Sequence, residues 1–338
     1  MSRRAPRFVV AVAGATVAAA CSLVIDTSGL ADAGDADAMA HAADAFSSLD
    51  GGAPEASGTG DAATDAPGGP CRPDFELATD PQNCGRCGHD CLGGVCVAAA
   101  CQATTFITGE AMAVGVATDG TELFWSTFDG FLRAKQLDGA GARRDIVKLA
   151  SAAHIEVDAD YVYTAVEGNK QIVRVRKTTG VVEILAVCTG QCLGVAVSGG
   201  NVFFTDRGGS ASLRMVTADP TSNGTALTTG LNSPEDAFAT ATDVYVANEG
   251  SNDIIRVPRG GGASSIFLTV TDPVAFAIEG ADLFIVSQVT GTIYRRGVAG
   301  GNLDAVATAQ AQPAGLLVTP TAVYWATLGG GTIMRLAR

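Results

Sequence analysis

Ala237-Phe238-Ala239-Thr240-Ala241-Thr242-Asp243-Val244-Tyr245-Val246-Ala247-Asn248-Glu249-Gly250-Ser251-Asn252-Asp253-Ile254-Ile255-Arg256-Val257 is three short apolar runs separated by polar turns. Apolar residues alternate or run for a few positions, and Gly, Asp and Asn mark the breaks, as in short antiparallel strands. The phrase occurs six times. Its aromatic anchors Phe124, Tyr163, Phe203, Tyr245, Phe284 and Tyr324 are spaced by 39, 40, 42, 39 and 40 residues. An arginine keeps the same beat, with Arg133, Arg174, Arg214, Arg256, Arg295 and Arg335 at intervals of 41, 40, 42, 39 and 40. A period near 40 whose contents are all strand signals belongs to radially repeated β-sheets rather than to helical solenoids. The expected fold is all-β, a six-bladed β-propeller over residues 102–338.

A fourth strand is expected to follow in each of the first five repeats, at 146–150, 181–187, 225–229, 264–270 and 305–309. The sixth repeat stops at Arg338, directly after its arginine strand. Thr104-Thr105-Phe106-Ile107-Thr108 stands in the register that fills the gap, since Phe106 precedes Val116 by ten residues as Leu227 precedes Ala237. Ring closure of this kind removes exposed sheet edges.

Three unlike segments precede the repeats. Residues 1–21 join Arg3, Arg4 and Arg7 to an apolar run from Phe8 to Ala20. That run is too short to span a bilayer of about 30 Å and reads as an export signal. Ala18-Ala19-Ala20-Cys21 resembles a bacterial lipoprotein signal, which implies lipid attachment at Cys21. An ordinary signal peptide cut after Ala20 and a twin-arginine signal at Arg3-Arg4 are the alternatives, and Ser22 is compatible with outer-membrane sorting. Residues 22–70 hold nine acidic side chains and no Lys or Arg among Ala, Gly, Ser, Thr and Pro. Such a stretch cannot bury enough apolar surface to offset its ordering entropy, so a disordered tether is expected.

Cys71, Cys84, Cys87, Cys91, Cys96 and Cys101 form a small module at 71–101, and Cys188 and Cys192 lie in the repeats. Eight cysteines besides Cys21 in an exported chain argue for four disulfides, one of them local to Cys188 and Cys192. Zinc held by Cys84, Cys87, Cys91 and His89 is the competing arrangement. Cys84-Gly85-Arg86-Cys87-Gly88-His89-Asp90-Cys91 resembles the cysteine repeats of secreted myxobacterial proteins and the plant stigma-specific cysteine-rich family. The likeness implies a disulfide scaffold, read here as a rigid stalk, and no activity.

Phe124-Trp125-Ser126-Thr127, Phe203-Phe204-Thr205-Asp206 and Tyr324-Trp325-Ala326-Thr327 resemble degenerate Tyr-Trp-Thr-Asp repeats, and the array is similar to NHL-type and TolB-like six-bladed propellers. The resemblance implies fold; the superfold hosts hydrolases, lyases and pure binding modules alike. No Gly-His or Trp-Asp pair recurs, which sets WD repeats aside.

The formal charge of −13 falls mostly in the tether, and no basic stripe with interleaved aromatics points to nucleic acid. Nine residues before the anchors, where innermost strands face a central channel, stand Gly115, His154, Gly194, Asp236, Ala275 and Gly315. His154 and Asp236, with Glu235 and Glu110, are the candidate channel-mouth ligands. No catalytic residue is assigned: there is no Gly-x-Ser-x-Gly elbow. The favoured reading is an envelope lipoprotein, monomeric and cofactor-free, that binds an envelope or extracellular protein or glycan and meets the membrane through its lipid. The competing one is a metal-dependent lactone hydrolase or lyase that holds a divalent cation with Glu110, His154 and Asp236. A surface protein without a discrete ligand is a third. The repeated arginines are expected to form blade-to-blade ion pairs or to mark strand edges.

Overall fold

A computed structural model describes residues 76–217 and 224–338; Cys21, the tether and Cys71 lie outside them. Six four-stranded antiparallel sheets form the propeller, each a meander from an inner to an outer strand. The quoted stretch makes blade four: Pro234–Ala239, Asp243–Asn248, Asp253–Pro258 and Ser265–Thr269. The closing strand is the expected one. Thr104–Thr108 pairs with Thr332–Ala337, Ile107 opposite Ile333, and completes blade six. The outer strands of blades one and five begin earlier than expected, at Arg144 and Gly300, because their hairpins extend the pairing to Arg144 opposite Ala134 and Gly300 opposite Gly297.

The core lies between the blades. Each of six buried apolar clusters draws its side chains from two neighbouring sheets. Phe124 and Val162 join blades one and two, Phe203 and Val246 blades three and four, Trp325 and Val286 blades six and five. Trp125, Trp325, Phe124, Phe203 and Phe204 are fully buried. Removing one such ring costs about 3–5 kcal/mol. This is why the anchors repeat: each is a filler between sheets.

The inner strands crowd the axis, and glycine permits it. A Cβ on Gly194 would lie 2.4 Å from the Glu235 carbonyl oxygen and 2.7 Å from Asp236 Cα. Blade three therefore lets the inner strand of blade four close on it.

The repeated arginines pair mostly within their own blade, not across blades. Arg174 reaches Glu183, Arg256 reaches Asp243 and Arg295 reaches Asp282, each on an adjoining strand. Arg214 donates to the Gly224 carbonyl, and Arg335 to the Leu92 carbonyl in the cysteine module. Register is the reason: Arg256 and Arg295 stand opposite their anchors, two positions from Asp243 and Asp282, and Arg174 stands directly opposite Glu183 on the outer strand.

In the cysteine module Cys84 is bonded to Cys96 and Cys91 to Cys101, and Cys87 is also in a disulfide. Pairing uses the thiolates that zinc would need, and His89 Nδ1 instead meets the Cys84 carbonyl at 2.6 Å. The module is not a free-standing stalk. Leu92 packs on the cluster between blades six and one, and Arg86 donates to the Arg338 carbonyl at 3.3 Å. Cys188 and Cys192 form the local bridge, both buried, between the outer strand of blade two and the inner strand of blade three.

Candidate functional site

Two cavities lie along the propeller axis. The larger, about 590 Å³, opens on the face made by the loops that lead into the inner strands and those that leave the second strands. The smaller, about 280 Å³, lies toward the far ends of the inner strands. His154 lines both.

The rim of the larger cavity is built by a repeated position that the sequence reading missed. Four residues after the anchors stand Phe128, Glu167, Arg207, Glu249, Gln288 and Leu328. Five line the bowl, and Glu249 joins them through Arg207 at 2.9 Å. The backbone sets them there. The N–H groups of Phe128, Glu249 and Leu328 donate at 3.0, 3.1 and 2.9 Å to the carbonyls of Met112, Ser233 and Gln312. Those three residues, and Asp272 at the same repeat position, have φ near +50 to +60°. L-residues are uncommon in this region and cluster at constrained loops.

The rim is chemically divided. Phe128 and Leu328, from adjacent blades, form an apolar side with Met112 and Ala314. Glu167, Arg207, Glu235 and Glu249 come from blades two, three and four, and Phe128 packs toward the cluster between blades two and three. Arg207 is bonded to both Glu235 and Glu249, and Gln191 donates to Glu167. Burial pushes Glu235 up to about 8, against the pull of Arg207.

Below the rim, His154 is 7% exposed and its ring makes no hydrogen bond with any described residue. Its Nδ1 lies 3.7 Å from Asp236 Oδ1. Burial first, then Arg207, lowers the imidazole to about 4, while burial raises Asp236 to about 7. Near neutral pH the imidazole is therefore uncharged, and the contact is not a full ion pair. Glu156, two residues on in the strand Ile155–Val157 that His154 precedes and unremarked in the sequence reading, lines the lower cavity with Asp236 and is raised to about 8, by burial and then by Asp236. The alternation of a strand places residues i and i+2 on one face, so His154 was the signal for Glu156.

Two of the sequence candidates thus converge, and Glu235 stands on the rim above them. Glu110 stands elsewhere. It is fully buried beside blade one, where Trp125 Nε1 donates to it at 2.9 Å, Arg133 at 2.6 Å, and Arg143 binds its other oxygen. It lines neither channel cavity. Among the described residues the only group of three or more His, Cys, Asp or Glu whose donor atoms lie within 4.8 Å of one another is Cys84, Cys91 and Cys101, which are bridged. Glu110, His154 and Asp236 therefore do not converge: only His154 and Asp236 share a cavity.

No protein-family model matches the chain, and no curated protein does. Solved structures are similar in fold. A regucalcin from Agrobacterium tumefaciens strain C58, described as a calcium-binding protein, shares 14% identity at a TM-score of 0.55, covering 69% of this chain and 92% of its own. A streptogramin B lyase shares 15% at 0.53, with 69% and 83% covered. A chain of a nidogen/laminin complex shares 17% at 0.53, with 58% and 80% covered. The chain is a six-bladed β-propeller. At these identities the likeness is one of fold.

Proposed function

We propose that this propeller is a binding module of the cell envelope, of NHL or Tyr-Trp-Thr-Asp type, which presents its channel mouth to a protein or glycan partner. In this reading the chain is exported, lipidated at Cys21 as in myxobacterial-type lipoproteins, and carried clear of the outer membrane by residues 22–70. It acts as a monomer without a cofactor. The observation that carries the reading is the rim: six equivalent positions, five of them held by the same backbone hydrogen bond, bear apolar, acidic, basic and amide side chains at the mouth of one open cavity. A scaffold repeated six times that varies at its mouth is suited to recognition, since function on a superfold resides in the site.

The competing reading, a metal-dependent lactone hydrolase or lyase, requires Glu110, His154 and Asp236 to face one ion. Arg133, Arg143 and Trp125 occupy Glu110 instead. Site-specific photo-cross-linking in the producing cell tests the proposal. A cross-linker at Leu328 or Gln288 should yield a discrete adduct that one at Ile266, on the outer strand of blade four, does not. Equal labelling from both places, or none from the rim, overturns it.

A further inference from the structure

We propose that the bowl receives a primary ammonium group carried on an apolar stem, such as a lysine side chain or an alkylamine. The inference rests on the binding-module reading and names what the module grips. Three carboxylates, Glu167, Glu235 and Glu249, face a single cation, Arg207, which already serves two of them. An added anion would find that cation engaged and meet the acids; an added cation would find unmatched oxygens. The second observation is His154. It is more than nine-tenths buried, lines the floor of the bowl and has no hydrogen bond at its ring. Held neutral, an imidazole always keeps one nitrogen as an acceptor, which is what an N–H donor seeks.

The stem is accounted for by the other half of the rim. Phe128 and Leu328, from adjacent blades one and six, share with the acids a cavity of about 590 Å³, a volume within the range of small-ligand sites. An aliphatic chain laid on that side would direct its head toward Glu235 and His154.

Calorimetric titration of the full chain with hexylammonium chloride, and in parallel with 1-hexanol, tests the charge requirement. The ammonium should bind at least tenfold more tightly than the alcohol. Glu249→Gln and Glu235→Gln should each weaken it about tenfold, while Glu183→Gln, which removes a carboxylate on the outer strand of blade two, should not. Glu249 stands on the rim and its variant is expected to fold, so the test survives if the Glu235 variant does not. Peptides Gly-Gly-Lys-Gly-Gly and Gly-Gly-norleucine-Gly-Gly identify the source. Selective lysine-peptide binding supports a protein side chain, and hexylammonium binding without it supports a small amine. Alcohol and ammonium of equal affinity, or rim carboxylates without effect, overturn the inference. If rim cross-links to a partner persist in that case, the binding-module reading stands and only the ammonium assignment falls.

Discussion

In blades one, three and five the anchor is Phe124, Phe203 and Phe284; in blades two, four and six it is Tyr163, Tyr245 and Tyr324. The alternation extends further. Fourteen residues after the tyrosines stand Lys177, Arg259 and Arg338, and after the phenylalanines Asp138, Thr217 and Val298. Each cation reaches back to the preceding odd blade and lies over its phenylalanine, at 4.8, 4.9 and 5.3 Å from the ring centre. Each also donates to that blade: Lys177 to Asp119 at 2.7 Å, Arg259 to Ser198 Oγ at 2.8 Å, Arg338 to Asp282 at 2.6 Å. In blades one and three a hydroxyl adds a second link, Ser126 to the Ala153 carbonyl and Thr205 to that of Glu235, where the even blades have Ala165, Ala247 and Ala326. The repeating structural unit is therefore a pair of blades joined by a cation latch. Of the channel groups, His154 and Glu156 come from blade two and Glu235 and Asp236 from blade four, while Arg207 and Gln288 come from blades three and five.

The strongest way to break the comparison is at the axis. Gly194→Ala should destabilise by about 3 kcal/mol, since its Cβ would strike the backbone of blade four. Blade five already carries Ala275 at the equivalent position, so Ala275→Gly should cost about 1 kcal/mol. Denaturant melts of the two variants measure the difference. Next is the latch. Lys177 is buried against Asp119, and Lys177→Met should cost about 3 kcal/mol by leaving that carboxylate without its partner. Asp138→Ser at the same place in blade one should stay within about 0.5 kcal/mol.

A smaller effect lies in pH. Glu156, Glu235 and Asp236 have folded pKa values of about 8, 8 and 7, above their unfolded values, so the native state holds extra protons through that range. Their contribution is full below the unfolded carboxylate range and is lost as pH rises through 7 to 8. His154, lowered to about 4, works in the opposite sense, but its contribution is complete above its unfolded value of 6.5. The melting temperature should therefore fall between pH 6.5 and 8, with a slope of at most about 1.4 kcal/mol per pH unit for each group. Glu156→Gln with Asp236→Asn should flatten the fall. Smallest of all, Arg295→Ala should cost about 0–1 kcal/mol, because its pair with Asp282 is exposed on the arginine side.

The fold was legible because the anchors repeat in sequence as the sheets repeat in space, and the closing strand could be read from the register of Phe106. The convergence of His154 and Asp236 was not legible. It depends on how closely blade three lets blade four approach, a matter of the missing Cβ at Gly194. Glu110 misled because a carboxylate at the start of a repeat looks like a ligand until Arg133 and Arg143 are seen to claim it. The rim was readable, since Phe128, Glu167, Arg207, Glu249, Gln288 and Leu328 follow the anchors at a constant interval. Their unlike chemistry concealed them from a search for repeated residues. The Phe and Tyr alternation was present in the anchors and needed the latch geometry to give it meaning.

Recognition at the channel mouth without a bound metal is most directly tested by thermal unfolding of the full chain. Calcium, magnesium, manganese or zinc is added in turn, and the melt is repeated after chelation. No ion should raise the melting temperature beyond its effect on the His154→Ala variant. A metal-specific rise, worth about 2.7 kcal/mol at a hundredfold excess over the dissociation constant, that is lost in His154→Ala or Asp236→Ala would contradict the account and restore the enzyme reading.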